Sequence, residues 1–220
     1  MAGEWVDWHR EYDRDSHQAR RLEYVRAAIR AALDRAPPGP IRVLSLCAGD
    51  GRDLLGVLAD HPRAPDVRAR LVDLAPALVE VGRARAAALG LRSIEVVVGD
   101  AGEARTAEGA VPVDLLLLCG IFGNVADADV ENTVRHAPAF CAPGATVVWT
   151  RGRFPPDLTP SIRRWFRAAG FEELAFVTVP DSTAAVGSGR LVGPVAPFRP
   201  STRLFTFLPA GARPSDRAPR

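Results

Sequence analysis

IRVLSLCAGDGRDLLGVL, residues 41–58, is the stretch on which the fold turns. An apolar run, Ile41–Cys47, breaks on Gly49-Asp50-Gly51 and passes into a helical pattern from about Arg52 to Ala59. A buried strand, a glycine turn and a helix in that order make the entrance to a nucleotide-type site. Here, however, Leu54 stands where G-x-G-x-x-G would place its third glycine. Asp50 and Asp53 also flank the turn, where a pyrophosphate would be repelled. Both points argue against NAD or FAD and favour a ligand with positive charge and no phosphate.

Outward from this stretch, strand and helix patterns alternate. Leu22, Val25, Ile29, Ala32 and Leu33 recur at helical spacing, with Ser16 as a cap and Pro37-Pro38 as the stop. Val67–Val72 reads as a strand ending at Asp73, Pro76 opens a helix and Gly90 closes it. Ile94–Val98 and Val113–Cys119 read as strands, a helix is expected over Asp127–His136, and Ala145–Thr150 is the next strand. Thr159-Pro160 begins a helix with Ile162, Trp165, Phe166 and Ala169 on one face, and Gly170 ends it. Phe171–Val179 and Arg203–Leu208 are read as the last strands, with a surface loop or lid between them.

This order predicts a Rossmann-like, doubly wound α/β fold with a mostly parallel seven-stranded sheet. One antiparallel strand should lie near an edge, and an N-terminal helical segment should precede the sheet. Residues 1–40 are expected to form a cap or lid, 41–209 the ligand-binding domain, and 210–220 a disordered tail.

Composition removes whole mechanisms. All 28 basic residues are arginine, so Schiff-base, P-loop and kinase-type lysines are excluded. The net charge is only +2, without a basic tract, which argues against a nucleic-acid partner. Cys47, Cys119 and Cys141 are too few and too far apart for a disulfide framework or a zinc site; no metal is expected. They suit buried thiols of a reducing cytoplasm. The longest apolar runs are strand-sized, so no membrane span is expected, and residues 1–15 are unlike a signal peptide. His17 and His61 read as solvent-facing.

Val43–Gly51, VLSLCAGDG, resembles motif I (V-L-D-L-G-C-G-x-G) of the class I S-adenosylmethionine-dependent methyltransferases. Ser45 replaces the motif's acid, and Cys47-Ala48 replaces Gly-Cys. The resemblance continues through ARLVDLAP (69–76), VVVGDA (96–101) and LLLLCGIFGN (115–124). It implies S-adenosylmethionine as cofactor and S-adenosylhomocysteine as product. Cys47, Ala48, Gly49 and Gly51 would form the binding turn, with Asp53 compensating for the lost acid. Asp73, beside Leu74, would accept both ribose hydroxyls, because a cis-diol offers two donors. Asp100 would meet the adenine amino group with the Ala101 amide near the ring, and Cys119 and Gly120 would turn backbone toward the methionine ammonium, with Phe122 close by.

The resemblance further implies a small-molecule acceptor, since the N-P-P-Y motif used on base or glutamine nitrogens is missing after the fourth strand. Trp5, Trp8, His9 and Tyr12 cluster near the N-terminus, where many small members fold a segment over the cofactor. His9 and Tyr12 are the candidate catalytic residues, with His9 as a base for an acceptor that must lose a proton. Two alternatives stand beside this reading: a non-catalytic S-adenosylmethionine-binding protein and a dehydrogenase with a degenerate loop.

Overall fold

A computed structural model describes residues 17–217 of the chain. After helix α1 (His17–Arg35) the elements run β1 (Ile41–Leu46), α2 (Leu54–Leu58), β2 (Val67–Asp73), α3 (Pro76–Ala88), β3 (Ile94–Val98) and β4 (Val113–Leu118). Then follow α4 (Asp127–His136), β5 (Cys141–Gly152), α5 (Thr159–Ala168), β6 (Phe171–Thr178) and β7 (Ala184–Leu191). The seven strands lie in the order β3-β2-β1-β4-β5-β7-β6. The first five are parallel and β7 inserts antiparallel between β5 and β6.

Alternation along the central strands explains the two layers. Leu44, Leu46, Leu116 and Leu118 face α4 and α5, where Val130, Val134, Ile162 and Phe166 complete one core. Val43, Leu115 and Leu117 face the other way, onto Val25, Ile29 and Leu33 of α1, Leu54 and Leu55 of α2, and Val79 of α3. A sheet apolar on both faces must be covered on both, and this is how the nearly continuous runs of β1 and β4 arise. β1 pairs with β2 on one side and β4 on the other, so the order reverses there and a crevice opens beyond their carboxyl ends.

The expected fold is present, with three corrections. The last strand is Ala184–Leu191, inside the stretch read as a loop. Its sequence, AAVGSGRL, hides the signal because Gly187 faces the indole of Trp149: a Cβ there would lie 2.2 Å from that ring. Residues 203–208 instead make only isolated bridges, Glu103 with Arg203 and Val125 with Phe207. Past residue 209, where disorder was expected, Arg213 is buried, its Nε donates to the Leu208 carbonyl, and Pro214–Arg217 forms a 3-10 turn. His61 is likewise buried, with Nε2 3.2 Å from Asp34 Oδ1.

Candidate active site

At the switch point, consecutive residues from successive strand ends line one cleft. Cys47 and Ala48 follow β1, Asp73 and Leu74 end β2, Asp100 and Ala101 follow β3, and Cys119 and Gly120 follow β4. Asp53 lines it from the start of α2.

The turn after β1 is built by backbone geometry. Cys47 leaves the strand with φ +59°, a left-handed conformation that favours glycine, the residue motif I has at that place. Ala48 N donates to Val72 O at 2.9 Å, tying the turn to β2. Gly51 has φ +69°, and a Cβ there would lie 2.6 Å from Leu71 Cδ2. Gly51 is therefore packed into the turn, Gly49 gives its amide to Asp73, and neither is among the residues lining the cleft.

The two aspartates of the turn part company. Asp50 is turned inward and neutralised: Arg52 Nε and Nη2 donate to its oxygens at 2.9 and 2.8 Å, and Arg85 Nη1 is 3.2 Å away. Of the two aspartates that flank the turn, only Asp53 lines the cleft. Asp53 caps α2, accepting from Leu54 N at 2.7 Å, and burial pushes its carboxyl up from the usual carboxylate range.

Asp73 links two loops. Its Oδ2 accepts from Gly49 N at 2.7 Å and its Oδ1 from Ala75 N at 2.9 Å, which leaves lone pairs on both oxygens directed elsewhere. Asp100 Oδ1 accepts from Gly102 N at 2.9 Å, and its Oδ2 from Arg203 Nη1 at 2.8 Å. Burial pushes the Cys47 and Cys119 thiols well up, so both are neutral walls rather than nucleophiles.

The loop after β4 is locked from beneath. Gly120 N donates to Thr150 Oγ1 at 2.9 Å, Asn124 Nδ2 donates to Gly120 O at 2.7 Å, and the buried Arg151 guanidinium donates to the Phe122 carbonyl. Phe122 points away from the cleft: it is fully buried in the α4–α5 core, 6.3 Å from the Trp149 ring. Its expected place beside the ligand is corrected accordingly.

The sequence reading missed Arg21, Leu22 and Val25 of α1, and also Arg52, Leu78 and Phe207, all of which line the cleft. Leu22 and Val25 carried a periodic signal, but it reads equally as core. Trp5, Trp8, His9 and Tyr12 lie outside the described residues. Among the described residues no cluster of His, Cys, Asp or Glu could hold a metal ion, and no helix is long and apolar enough to cross a membrane.

A family model described as "Methyltransferase domain" matches residues 43–144, which includes all four strand ends of the cleft. Compared with curated proteins by sequence, the chain matches none. Among solved structures it is similar to an O-methyltransferase family protein from Burkholderia thailandensis, with TM-score 0.61 and 20% identity over 77% of this chain. This chain spans 54% of that protein, about half its length. It is also similar to a 1,6-didemethyltoxoflavin-N1-methyltransferase from Burkholderia thailandensis (TM-score 0.64, 18% identity, 87% of each chain). A third likeness is to magnesium protoporphyrin IX methyltransferase from Synechocystis PCC 6803 (TM-score 0.67, 10% identity, 84% of this chain and 90% of that one). Residues 43–144 match a methyltransferase domain, and the chain has the fold of these methyltransferase structures.

Proposed function

We propose that the protein is an S-adenosylmethionine-dependent methyltransferase acting on a small molecule. One observation carries the reading: successive strand ends deliver Cys47-Ala48, Asp73-Leu74, Asp100-Ala101 and Cys119-Gly120 to a single cleft. In this reading Asp73 accepts the two ribose hydroxyls, and Asp100 accepts from the adenine amino group beside Ala101. Asp53 takes the methionine ammonium near Cys119 and Gly120. The Burkholderia N1-methyltransferase structure, described with its small acceptor and S-adenosylhomocysteine bound, supports both cofactor and acceptor class. The lack of a basic tract supports a small acceptor over nucleic acid.

Methyl transfer from a sulfonium is an in-line displacement. A lone pair of the acceptor forms the new bond to the methyl carbon as the carbon–sulfur bond breaks, and the electron pair of that bond stays on sulfur. The chain's part is to align the three atoms and exclude water; orientation contributes about 7–11 kcal/mol in favourable systems. Burial holds the thiols of Cys47 and Cys119 protonated, so neither competes with the acceptor for the methyl group. His9 and Tyr12 are the residues proposed to take a proton from a hydroxyl acceptor.

Native mass spectrometry of the purified chain, together with titration of S-adenosylhomocysteine and of NAD, tests the cofactor. Retained or titrated S-adenosylhomocysteine is expected. Binding of NAD alone would replace this reading with a dehydrogenase. Transfer of a labelled methyl group to components of a small-molecule extract then separates an enzyme from a binding protein.

A further inference from the structure

The residues after β7 pass back over the carboxyl ends of β3 and β4. On the β3 side Ala104 N donates to Thr202 O at 3.0 Å, and Leu204 N donates to Gly102 O at 2.7 Å. On the β4 side Leu208 N donates to Asn124 O at 2.9 Å. Between these anchors Leu204 and Phe205 are each 1% exposed, and α4 grips the backbone. Asn132 Nδ2 donates to the Arg203 and Leu204 carbonyls at 2.9 and 2.8 Å, and Asp129 Oδ2 accepts from Thr206 N at 2.9 Å. Phe205 O comes so near Gly102 that a Cβ there would be 2.3 Å from it. Residues 202–208 thus form a strap joining the loops that carry Asp100-Ala101 and Cys119-Gly120.

One strap side chain lines the cleft, and a second holds a carboxylate that does. Phe207 is part of its lining. Arg203 Nη1 holds Asp100 Oδ2 while the Gly102 amide holds Oδ1, so the carboxylate plane is fixed and each oxygen keeps a further lone pair.

We propose that the strap is a working part of the cofactor site. Arg203 is a positioning residue that sets the Asp100 carboxylate for the exocyclic amino group of adenine, and Phe207 is the apolar wall of the nucleoside end. The inference rests on the S-adenosylmethionine reading. An amino group donates to the preset carboxylate, whereas a 6-oxo purine presents a second acceptor and is rejected. Positioning of this kind gives selectivity that a purely structural ion pair would not.

The test uses the full chain and calorimetric titration of S-adenosylhomocysteine and its otherwise identical 6-oxo (hypoxanthine) analogue. Wild type is expected to prefer the amino form. R203A should weaken S-adenosylhomocysteine binding about fivefold, as suits a partly exposed ion pair, and shrink that preference; R203K should restore it. F207A should weaken both ligands about tenfold and leave the preference unchanged, the scale of losing an aromatic wall against a base. Near-ultraviolet circular dichroism checks that each variant is folded. Wild-type affinity and preference in folded R203A and F207A would overturn the strap's role and leave the cofactor reading standing. Failure of wild type to bind S-adenosylhomocysteine would overturn the cofactor reading, and the strap's role with it.

Discussion

The amide of Gly49 donates to Asp73 Oδ2 at 2.7 Å, so the glycine turn after β1 and the acid at the end of β2 are one unit. The carboxylate that offers lone pairs to the cleft also holds the turn in place. Its two roles cannot be removed separately by truncation.

Asp73→Ala is therefore expected to weaken S-adenosylhomocysteine binding more than tenfold and also to lower stability. Removing the carboxylate deprives the buried Gly49 amide of its acceptor, a cost of about 1–3 kcal/mol. Calorimetry and urea unfolding read the two effects. Unchanged affinity would retire the ribose assignment; unchanged stability would retire the structural link.

Asp53 sets function against stability. Its carboxyl is pushed up, first by burial, so the folded chain holds this proton to higher pH than the unfolded chain does. Stability is therefore lost as pH rises from the unfolded value through the raised folded one, and the penalty is full above it. Asp53→Asn keeps an oxygen for the Leu54 amide and removes the penalty. The variant should melt higher than wild type at neutral pH without ligand and bind S-adenosylhomocysteine about tenfold more weakly, since a charge-assisted contact is lost. For wild type, affinity should fall as acid protonates Asp53. A variant that melts no higher and binds equally well would remove Asp53 from the ammonium site.

Gly51→Ala is expected to destabilise the fold by about 2–4 kcal/mol, combining a left-handed conformation with overpacking. The new methyl would meet Leu71 Cδ2 at 2.6 Å and Leu55 Cδ1 at 2.9 Å, both in the core shared by α2 and β2. Urea midpoints measure this; a wild-type midpoint would mean the turn has another shape.

Much of this architecture was legible in the chain because buried parallel strands announce themselves. β1 and β4 are apolar on both faces, and the glycine turn between β1 and α2 has few other uses. The strap was misread as a strand, and β7 was not legible for a physical reason. Gly187 is there to admit the Trp149 ring, so the strand loses the bulky residues by which strands are recognised. Asp50 misled because Arg52, two positions on, pairs with both its oxygens and Arg85 of another helix adds a third contact, and the glycine-turn pattern announces neither. Phe122 misled likewise: its backbone is drawn down by Arg151 from the neighbouring strand, which turns the ring into the core. Local chemistry located the cleft; side-chain direction around it depended on partners the motif does not show, Arg52 for Asp50 and Arg151, 29 positions away, for Phe122.

The three cysteines give a test of where the ligand sits. Burial pushes every thiol up, Cys141 to about 12, so thiolate is scarce at pH 8 and alkylation should be slow at each. Cys47 and Cys119 line the cleft, whereas Cys141 is buried at the start of β5 in the α4–α5 core. Saturating S-adenosylhomocysteine should therefore slow iodoacetamide labelling of Cys47 and Cys119 further and leave Cys141 unchanged. Peptide mass spectrometry reads the three rates separately. Equal slowing at all three would indicate only a general tightening of the fold. Protection confined to the first two would place the ligand between the ends of β1 and β4, and no protection at either would put it elsewhere.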